Sequence, residues 1–531
     1  MPRKLYLETF GCQMNVLDSE LVLGQLRAQG YVSTEDRESA DVILYNTCSV
    51  REHAEQKVWS RLGELRQRKK DDPNLVIGVI GCMAERDGKN IFDKFPQVDI
   101  LCGPGELDKL PGLIHNASVT TLAKDEGGRM KDEGNPSSIH PSSVIAHPSG
   151  YRQVALMGAN VRRSGTLDAA KDNLEMLDLS RAISPEDDLA QAYVRITRGC
   201  NKFCTYCVVP YTRGPEVHRP PENIVDEVRR LADAGVREVT LLGQTINHYH
   251  FKFGDGRETS FAELLYQIHE AVPHLPRLRF VTSFPRDFTD EALMAMRDCE
   301  RICRYLHVPA QHGSDRILKI MNRGYTAQQY RDFIDRARGY MPDISIASDF
   351  IVGFPTETEE EFQTCKDIIR HGRFKNSFIF KYSPRPGTIA IDRFTDDVPE
   401  DVKRRRNNEL LAVQHEVSAQ NNREMIGRTV QVLVEGQSKL VSKQQAAAYP
   451  KAPASGVELG WETRKKARLA EIQTIEPAVT STQMVGRTSG DQVVVFDGEM
   501  SLKGRLLDVE IIDAKQMTLF ARLAELPAVV P

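Results

Sequence analysis

Tyr193-Val-Arg-Ile-Thr-Arg-Gly199-Cys200-Asn-Lys-Phe-Cys204-Thr-Tyr-Cys207-Val-Val-Pro-Tyr-Thr-Arg213-Gly214 is the stretch on which the reading of this chain turns. An apolar alternation ends at Gly199, and cysteines follow at C-x3-C-x2-C spacing, so the thiolates share one loop at the end of a strand. A loop of that length wraps its sulfurs around one cluster. In a 4Fe-4S cluster held this way one iron has no protein thiolate, and that iron is a binding site. The plant-type ferredoxin run, C-x4-C-x2-C, differs in spacing and belongs to fully ligated clusters that only pass electrons. A zinc site would want a fourth ligand at matching spacing, and none lies nearby.

With those residues in place, the run resembles the signature of the radical S-adenosylmethionine (SAM) enzymes. In that superfamily SAM chelates the open iron and the reduced cluster cleaves it to methionine and a 5'-deoxyadenosyl radical. The longer string from Gly199 to Gly214 resembles the methylthiotransferases within the superfamily, and among them the branch acting on N6-isopentenyladenosine in tRNA.

At 531 residues the chain is too long for one ordinary domain. It has no apolar run long enough to span a bilayer, and Met1-Pro-Arg-Lys4 leads straight into a strand pattern, so a cytoplasmic protein with no membrane partner is expected. The 10 cysteines then read as metal ligands or free thiols, because a reducing compartment does not sustain a disulfide framework. A net charge of -4 gives no global basic field, so any nucleic-acid contact must be local.

Residues 4–115 alternate strand and helix patterns. Strands are expected at 4–10, 41–46 and 75–80, with helices at 18–29 and 52–70, which is a βαβαβα unit with a parallel sheet. Cys12, Cys48 and Cys82 each sit just past the carboxyl end of a strand, where ligands of open parallel sheets gather. Three thiolates in register at one edge again make a site for a cluster with one open iron. Buried cysteine is common, but three in register are not. The placement resembles the amino-terminal domain of the methylthiotransferases, in which matching cysteines hold an auxiliary 4Fe-4S cluster. Cys102, after the apolar 98–101, reads as a spare thiol.

Residues 117–188 dissolve into Ser, Pro, Gly, Asp and His and read as a largely disordered linker. From 193 to 382, strands at 193–197, 238–242, 278–283, 304–308, 344–351 and 377–382 alternate with helices. Six such units are too few for a closed eight-stranded barrel and fit a partial (βα)6 barrel. Barrel chemistry gathers at the carboxyl ends of strands, and the resemblance makes Gly243, Gln244, Asn247, Ser283, Asp349, Ile351 and Gly353 the SAM contacts. His307 and His312, also at strand ends, read as hydrogen-bonded structural groups. Lys403-Arg-Arg-Arg406, on a charged helix over 399–424, is either a solvated face or a phosphate contact. Short strands beyond it look like a small TRAM-type β-barrel, interrupted at 438–478.

The expected architecture is α/β: an amino-terminal α/β domain (1–116), the linker (117–188), the partial barrel (189–422) and the TRAM-like barrel (423–525). The resemblance implies two 4Fe-4S clusters, on Cys12, Cys48 and Cys82 and on Cys200, Cys204 and Cys207, with SAM as the second cofactor. The chemistry rests with these groups and no catalytic side chain is singled out. By the same resemblance the substrate is tRNA, through an anticodon stem-loop carrying isopentenyladenosine at position 37, whose unstacked base can be splayed into a pocket. An electron donor such as flavodoxin or ferredoxin and a monomeric state are expected. A methylthiotransferase for threonylcarbamoyl-adenosine tRNA or ribosomal protein is the nearest alternative; a non-catalytic electron-transfer or RNA-binding protein is the alternative of another class.

Overall fold

The computed structural model describes residues 2–49, 52–125, 152–157, 174–181, 190–438, 441 and 482–524. The first unit runs β1 (Lys4–Phe10), α1 (Gln13–Ala28), β2 (Val32–Ser33), β3 (Val42–Thr47), α2 (Glu52–Asp71), β4 (Val76–Gly81), α3 (Cys82–Asp87), α4 (Asn90–Lys94), β5 (Ile100–Cys102), α5 (Leu110–Asp125) and β6 (Gln153–Ala155). Its sheet is parallel, in the order β2-β1-β3-β4-β5-β6. Both faces are covered, Leu17, Leu21 and Ile114 packing on one and Val58, Leu62 and Phe92 on the other. That is why β3 and β4 are apolar along most of their length instead of alternating.

Register decides where the first three cysteines go. Phe10 pairs with Thr47, and Thr47 with Gly81, so the three strands end level. Cys12, Cys48 and Cys82 follow within two residues of that row.

The second unit follows α6 (174–179). It contains β7 (Gln191–Arg195), β8 (Thr197–Arg198), α7 (Val209–Thr212), β9 (Val217–His218), α8 (Pro221–Asp233), β10 (Glu238–Leu242), β11 (His250–Lys252), β12 (Glu258–Ser260), α9 (Phe261–Ala271), β13 (Arg277–Val281), α10 (Asp290–Asp298), β14 (Tyr305–His307), α11 (Asp315–Ile320), α12 (Ala327–Tyr340), β15 (Ser345–Val352), α13 (Glu359–Gly372), β16 (Asn376–Lys381), α14 (Ile389–Arg393) and α15 (Glu400–Arg423). All six expected strands are present, within a few residues at each end. They form two parallel three-stranded ladders, β7-β10-β13 and β14-β15-β16. The bonds Ser283 N to His307 O (2.9 Å) and Leu278 N to Arg301 O (2.8 Å) join them into one open crescent. Val194, Leu241 and Phe280 of its strands share a core with Val228 and Leu264 of its helices. Tyr193, Leu242 and Val281 pack instead into the core of the first unit, so the two units share apolar contacts.

β17 (Thr429–Gln437), β18 (Thr482–Thr488), β19 (Val493–Gly498), β20 (Leu506–Ala514) and β21 (Leu519–Leu523) close a barrel. Closure removes free sheet edges.

Three expectations change. The open linker at 117–188 is ordered in part: α5 runs on to Asp125, β6 adds a strand beside β5, and α6 carries a buried carboxylate, Asp178; the rest of it lies outside the described residues. α1 begins at Gln13 and not at 18, because the Cys12 carbonyl accepts the first bonds, from Asn15 N (2.9 Å) and Val16 N (3.1 Å). β18 was not expected, its glycine and polar residues obscuring the alternation. Apart from 438 and 441, the interruption at 438–478 lies outside the described residues.

Candidate metal centres

The loop after β7 and β8 is held on every side. Gly199 has φ +65°, and a Cβ there would meet the Pro215 carbonyl oxygen at 2.0 Å, so only glycine fits before Cys200. Cys200 N donates to Gly214 O (3.1 Å) and Cys207 N to Cys204 O (2.9 Å). The Asn322 amide reaches Lys202 O (3.2 Å) and Phe203 O (3.0 Å). Buried Arg323 donates to Cys204 Sγ at 3.4 Å and to Pro309 O at 2.9 Å. Cys200 Sγ lies 3.5 Å from Thr245 Oγ1.

Burial, and then the neighbouring Cys204, push the Cys207 thiol up to about 12; burial also raises Cys200. Three thiols close enough to disfavour one another's ionisation are a poor site for free thiolates and a good one for a polycation, which compensates the charge that burial penalises. The donor set fits an iron-sulfur cluster.

The second trio is built by three strand ends. Cys48 N donates to Phe10 O at 3.0 Å, continuing the ladder one step past β3. Gly81, with φ +91°, precedes Cys82, and a Cβ on it would meet Asn46 Oδ1 at 2.4 Å. Behind the sulfurs Asn15 Nδ2 donates to Asn46 Oδ1 (2.9 Å), Asn46 Nδ2 to Ser19 Oγ (2.9 Å) and Thr47 Oγ1 to Ile80 O (2.8 Å). This buried polar network is satisfied internally and so fixes the row. A hydrogen bond from Cys48, aided by the charge of Arg213, holds Cys12 down at about 6, while burial raises Cys82 against the pull of Arg213. These donors fit a second cluster. Cys102 ends β5 opposite Ile80 of β4, its sulfur 3.2 Å from Glu106 O and its thiol pushed far up by burial.

The two trios are neighbours. α7, two residues past Cys207, packs on α3, which begins at Cys82. Arg213 Nη2 binds Asp18 Oδ2 of α1 at 2.8 Å. Arg195 of β7 binds the other oxygen of Asp18 (2.7 Å) and Asp178 of α6 (2.5 Å). Arg198 also pairs with Asp178, and Arg219 with Glu175 at 2.8 Å. None of Arg213, Asp178 or Arg323 was among the expected site residues. Arg213 and Arg323 lie beyond the cysteines in sequence, and Asp178 sits in a short helical run, Leu174-Glu-Met-Leu177-Asp-Leu179, whose Leu174 and Leu177 spacing is the signal inside an otherwise polar stretch.

The expected SAM contacts divide into two kinds. Ser283 is buried, and its Oγ has no hydrogen-bond partner among the described residues, so it has a bond to offer. Gly243 follows β10, and a Cβ on it would meet Thr197 Oγ1 at 2.6 Å. Gln244 is half-buried beside it. Asn247 has its amide engaged at both ends, with Phe284 O (3.0 Å) and Phe284 N (2.8 Å), and braces the loop after β13 instead of offering itself to a ligand. Asp349 Oδ1 lies 3.1 Å from His307 Nε2, whose Nδ1 meets Thr282 Oγ1 at 2.7 Å. Ile351 N donates to Gln311 O (2.9 Å).

Gly353 N donates to Glu357, which also binds His312 Nε2 (2.8 Å) and Arg406 Nη1 (2.7 Å). His312 is therefore structural. The same contacts answer the basic run: Lys403 and Arg406 are buried, Lys403 binding Asp396 at 2.5 Å, and Arg405 pairs with Glu359 at 2.6 Å. Lys403 and Arg406 are thus internal wiring, while Arg404 and Arg405 are exposed. A cleft of about 830 Å³ opens beside the cysteine loop, lined by Glu216, His218, Asn247, His248, Phe251 and Asp287 among others.

Residues 4–103 match the family described as "Uncharacterized protein family UPF0004", residues 194–368 the radical SAM superfamily, and residues 474–524 the TRAM domain. The chain is 43% identical over 523 residues to the tRNA-2-methylthio-N(6)-dimethylallyladenosine synthase of Rhodopirellula baltica, covering 98% of this chain and 96% of that protein. It is 38% identical over 520 residues to the protein of the same name from an Acidovorax species, covering 98% and 97%. With the one from a Thermoanaerobacter species the figures are 36% over 522 residues, 98% and 92%.

Proposed function

The chain belongs to the tRNA-2-methylthio-N(6)-dimethylallyladenosine synthase family, a family of radical SAM tRNA methylthiotransferases, and from that premise we propose that it places a methylthio group on carbon 2 of N6-dimethylallyladenosine at position 37 of tRNA. The observation that carries this reading is the level ending of β1, β3 and β4, which sets a second thiol trio beside the one on the barrel loop.

Cys200, Cys204 and Cys207 hold one 4Fe-4S cluster and Cys12, Cys48 and Cys82 the other. When bound, these groups would supply reductive cleavage of SAM at the first site and the sulfur for transfer at the second.

The chain's own residues do the rest. Backbone at Gly243 and the free Ser283 hydroxyl bind SAM, and the Ile351–Gly353 turn, braced by Glu357, takes its adenine. Asn322 and Arg323 keep the barrel loop rigid, because a small displacement of reacting atoms costs orders of magnitude in rate. Exposed Arg428, Lys503 and Arg505 on the closing barrel meet tRNA phosphates. A flavodoxin or ferredoxin supplies electrons, and the protein acts as a cytoplasmic monomer. Among the described residues no helix is long and apolar enough to cross a membrane.

The test is anaerobic turnover of reconstituted protein with SAM, dithionite and tRNA bearing dimethylallyladenosine, followed by nucleoside mass spectrometry. The 2-methylthio nucleoside is expected. SAM cleavage without it, or the product only on threonylcarbamoyl-adenosine tRNA, would overturn the substrate assignment.

A further inference from the structure

Arg213 lies on the loop that presents Cys200, Cys204 and Cys207, yet among the described residues the carboxylate its guanidinium binds, Asp18, belongs to the first unit. Its guanidinium binds Asp18 Oδ2 at 2.8 Å and sets its charge against the Cys82 sulfur. Its side chain is 7% exposed. Two elements aim it: α7 immediately before it packs on α3, whose first residue is Cys82, and Cys12 caps the helix that bears Asp18.

A buried guanidinium needs its charge answered. Asp18 answers it, while Arg195, on the other oxygen of Asp18 at 2.7 Å, is answered in turn by Asp178 at 2.5 Å. The sulfurs of Cys82 and Cys12 also lie within electrostatic reach of Arg213. Arginine stays protonated throughout, so the charge is fixed and not a switch.

We propose that Arg213 is a positioning residue donated by the barrel loop to the amino-terminal site, where its fixed positive charge makes the cluster on Cys12, Cys48 and Cys82 easier to reduce and holds an anionic sulfur ligand there. This rests on the two-cluster reading above. A cation beside a cluster favours the more negative, reduced state and any anion bound at its open corner, and the effect is strong where water is excluded. The loop that carries one trio thereby sets the charge at the other. The charge is in place only when the two units are docked.

The test uses full-length protein reconstituted anaerobically in a Cys200/Cys204/Cys207→Ala background, so that only the amino-terminal cluster is present, with its midpoint read by redox titration under electron paramagnetic resonance. Arg213→Gln is expected to move that midpoint to more negative potential, Arg213→Lys to keep it near the parent value, and Asp18→Asn to move it to more positive potential. Opposite signs for the two charge deletions exclude a loosened site as the cause, since loosening has no reason to follow the charge removed. In a Cys12/Cys48/Cys82→Ala background, the barrel cluster's midpoint should not respond to Arg213→Gln. An unchanged midpoint in Arg213→Gln, or shifts of equal sign in Arg213→Gln and Asp18→Asn, overturns the inference while leaving the proposed function standing. If the parent background assembles no cluster, the two-cluster reading itself falls, and this inference with it.

Discussion

Arg385 and Glu55, 330 positions apart in the chain, meet at 2.7 Å, and Arg86, four residues after Cys82, takes the same carboxylate at 2.8 Å. Arg385 follows the last barrel strand and Glu55 lies on the first turn of α2, just beyond Cys48. One carboxylate thus ties both halves of the molecule at the level of the cysteine row. Removing Glu55 takes the carboxylate from Arg385 while Arg86 keeps Asp87 at 2.7 Å, whereas removing Arg385 leaves Glu55 paired to Arg86. Glu55→Ala should therefore cost about 2–3 kcal/mol of unfolding free energy and Arg385→Ala only about 1 kcal/mol. Chemical denaturation of the metal-free protein measures both. Equal losses would show that the two contacts are not shared in this way.

Asp178 predicts an acid limit. Burial alone would raise its pKa, but Arg195, Arg198 and Arg219 hold the carboxyl well below the ordinary range. A carboxyl depressed on folding stabilises the fold at pH values above its unfolded pKa of about 3.9, and that contribution is lost as pH falls toward the folded value. Stability should then be flat from pH 7 to about 5 and decline below it. Asp178→Asn should lower stability at pH 7 and remove part of the decline, as urea midpoints against pH would show.

Gly199 and Gly81 make matching claims about the two trios. An added Cβ collides with fixed backbone or buried amide at either position, where φ is already positive. Gly199→Ala should lose the barrel cluster and keep the amino-terminal one, and Gly81→Ala the reverse. Iron and sulfide analysis after reconstitution should give roughly half the parent content in each, an estimate from the geometry of ligand placement. Complete loss in either would mean that the sites assemble as one.

Much of this was legible in the chain. Strand ends marked by Gly11-Cys12, Thr47-Cys48 and Gly81-Cys82 follow from alternation and apolar runs bounded by glycine, and the register of a parallel sheet then brings the cysteines together. What stayed hidden depends on distant partners. Asp178 sits in a short helix inside a polar stretch, and the three arginines folded around it, with Leu177 in the apolar core, make the segment part of the interior. Lys403 and Arg406 read as surface because local composition cannot reveal Asp396 and Glu357. Asn247 stands at a strand end like a ligand contact, yet its amide is spent on Phe284.

That last pair separates bracing from binding. Ser283→Ala should raise the KM for SAM several-fold with little change in stability, since its hydroxyl has no partner among the described residues. Asn247→Ala should destabilise the protein by about 1–3 kcal/mol, leaving a buried donor and acceptor unmet. Isothermal titration of SAM alongside thermal unfolding distinguishes the two, and a stability loss in Ser283→Ala would contradict its assignment.

The division of labour between the trios is tested most directly by Cys48→Ala, reconstituted and given SAM, dithionite and dimethylallylated tRNA under anaerobic conditions. The variant should still cleave SAM, because Cys200, Cys204 and Cys207 are intact, and should form no 2-methylthio nucleoside. Methylthio product at the parent rate would contradict the account.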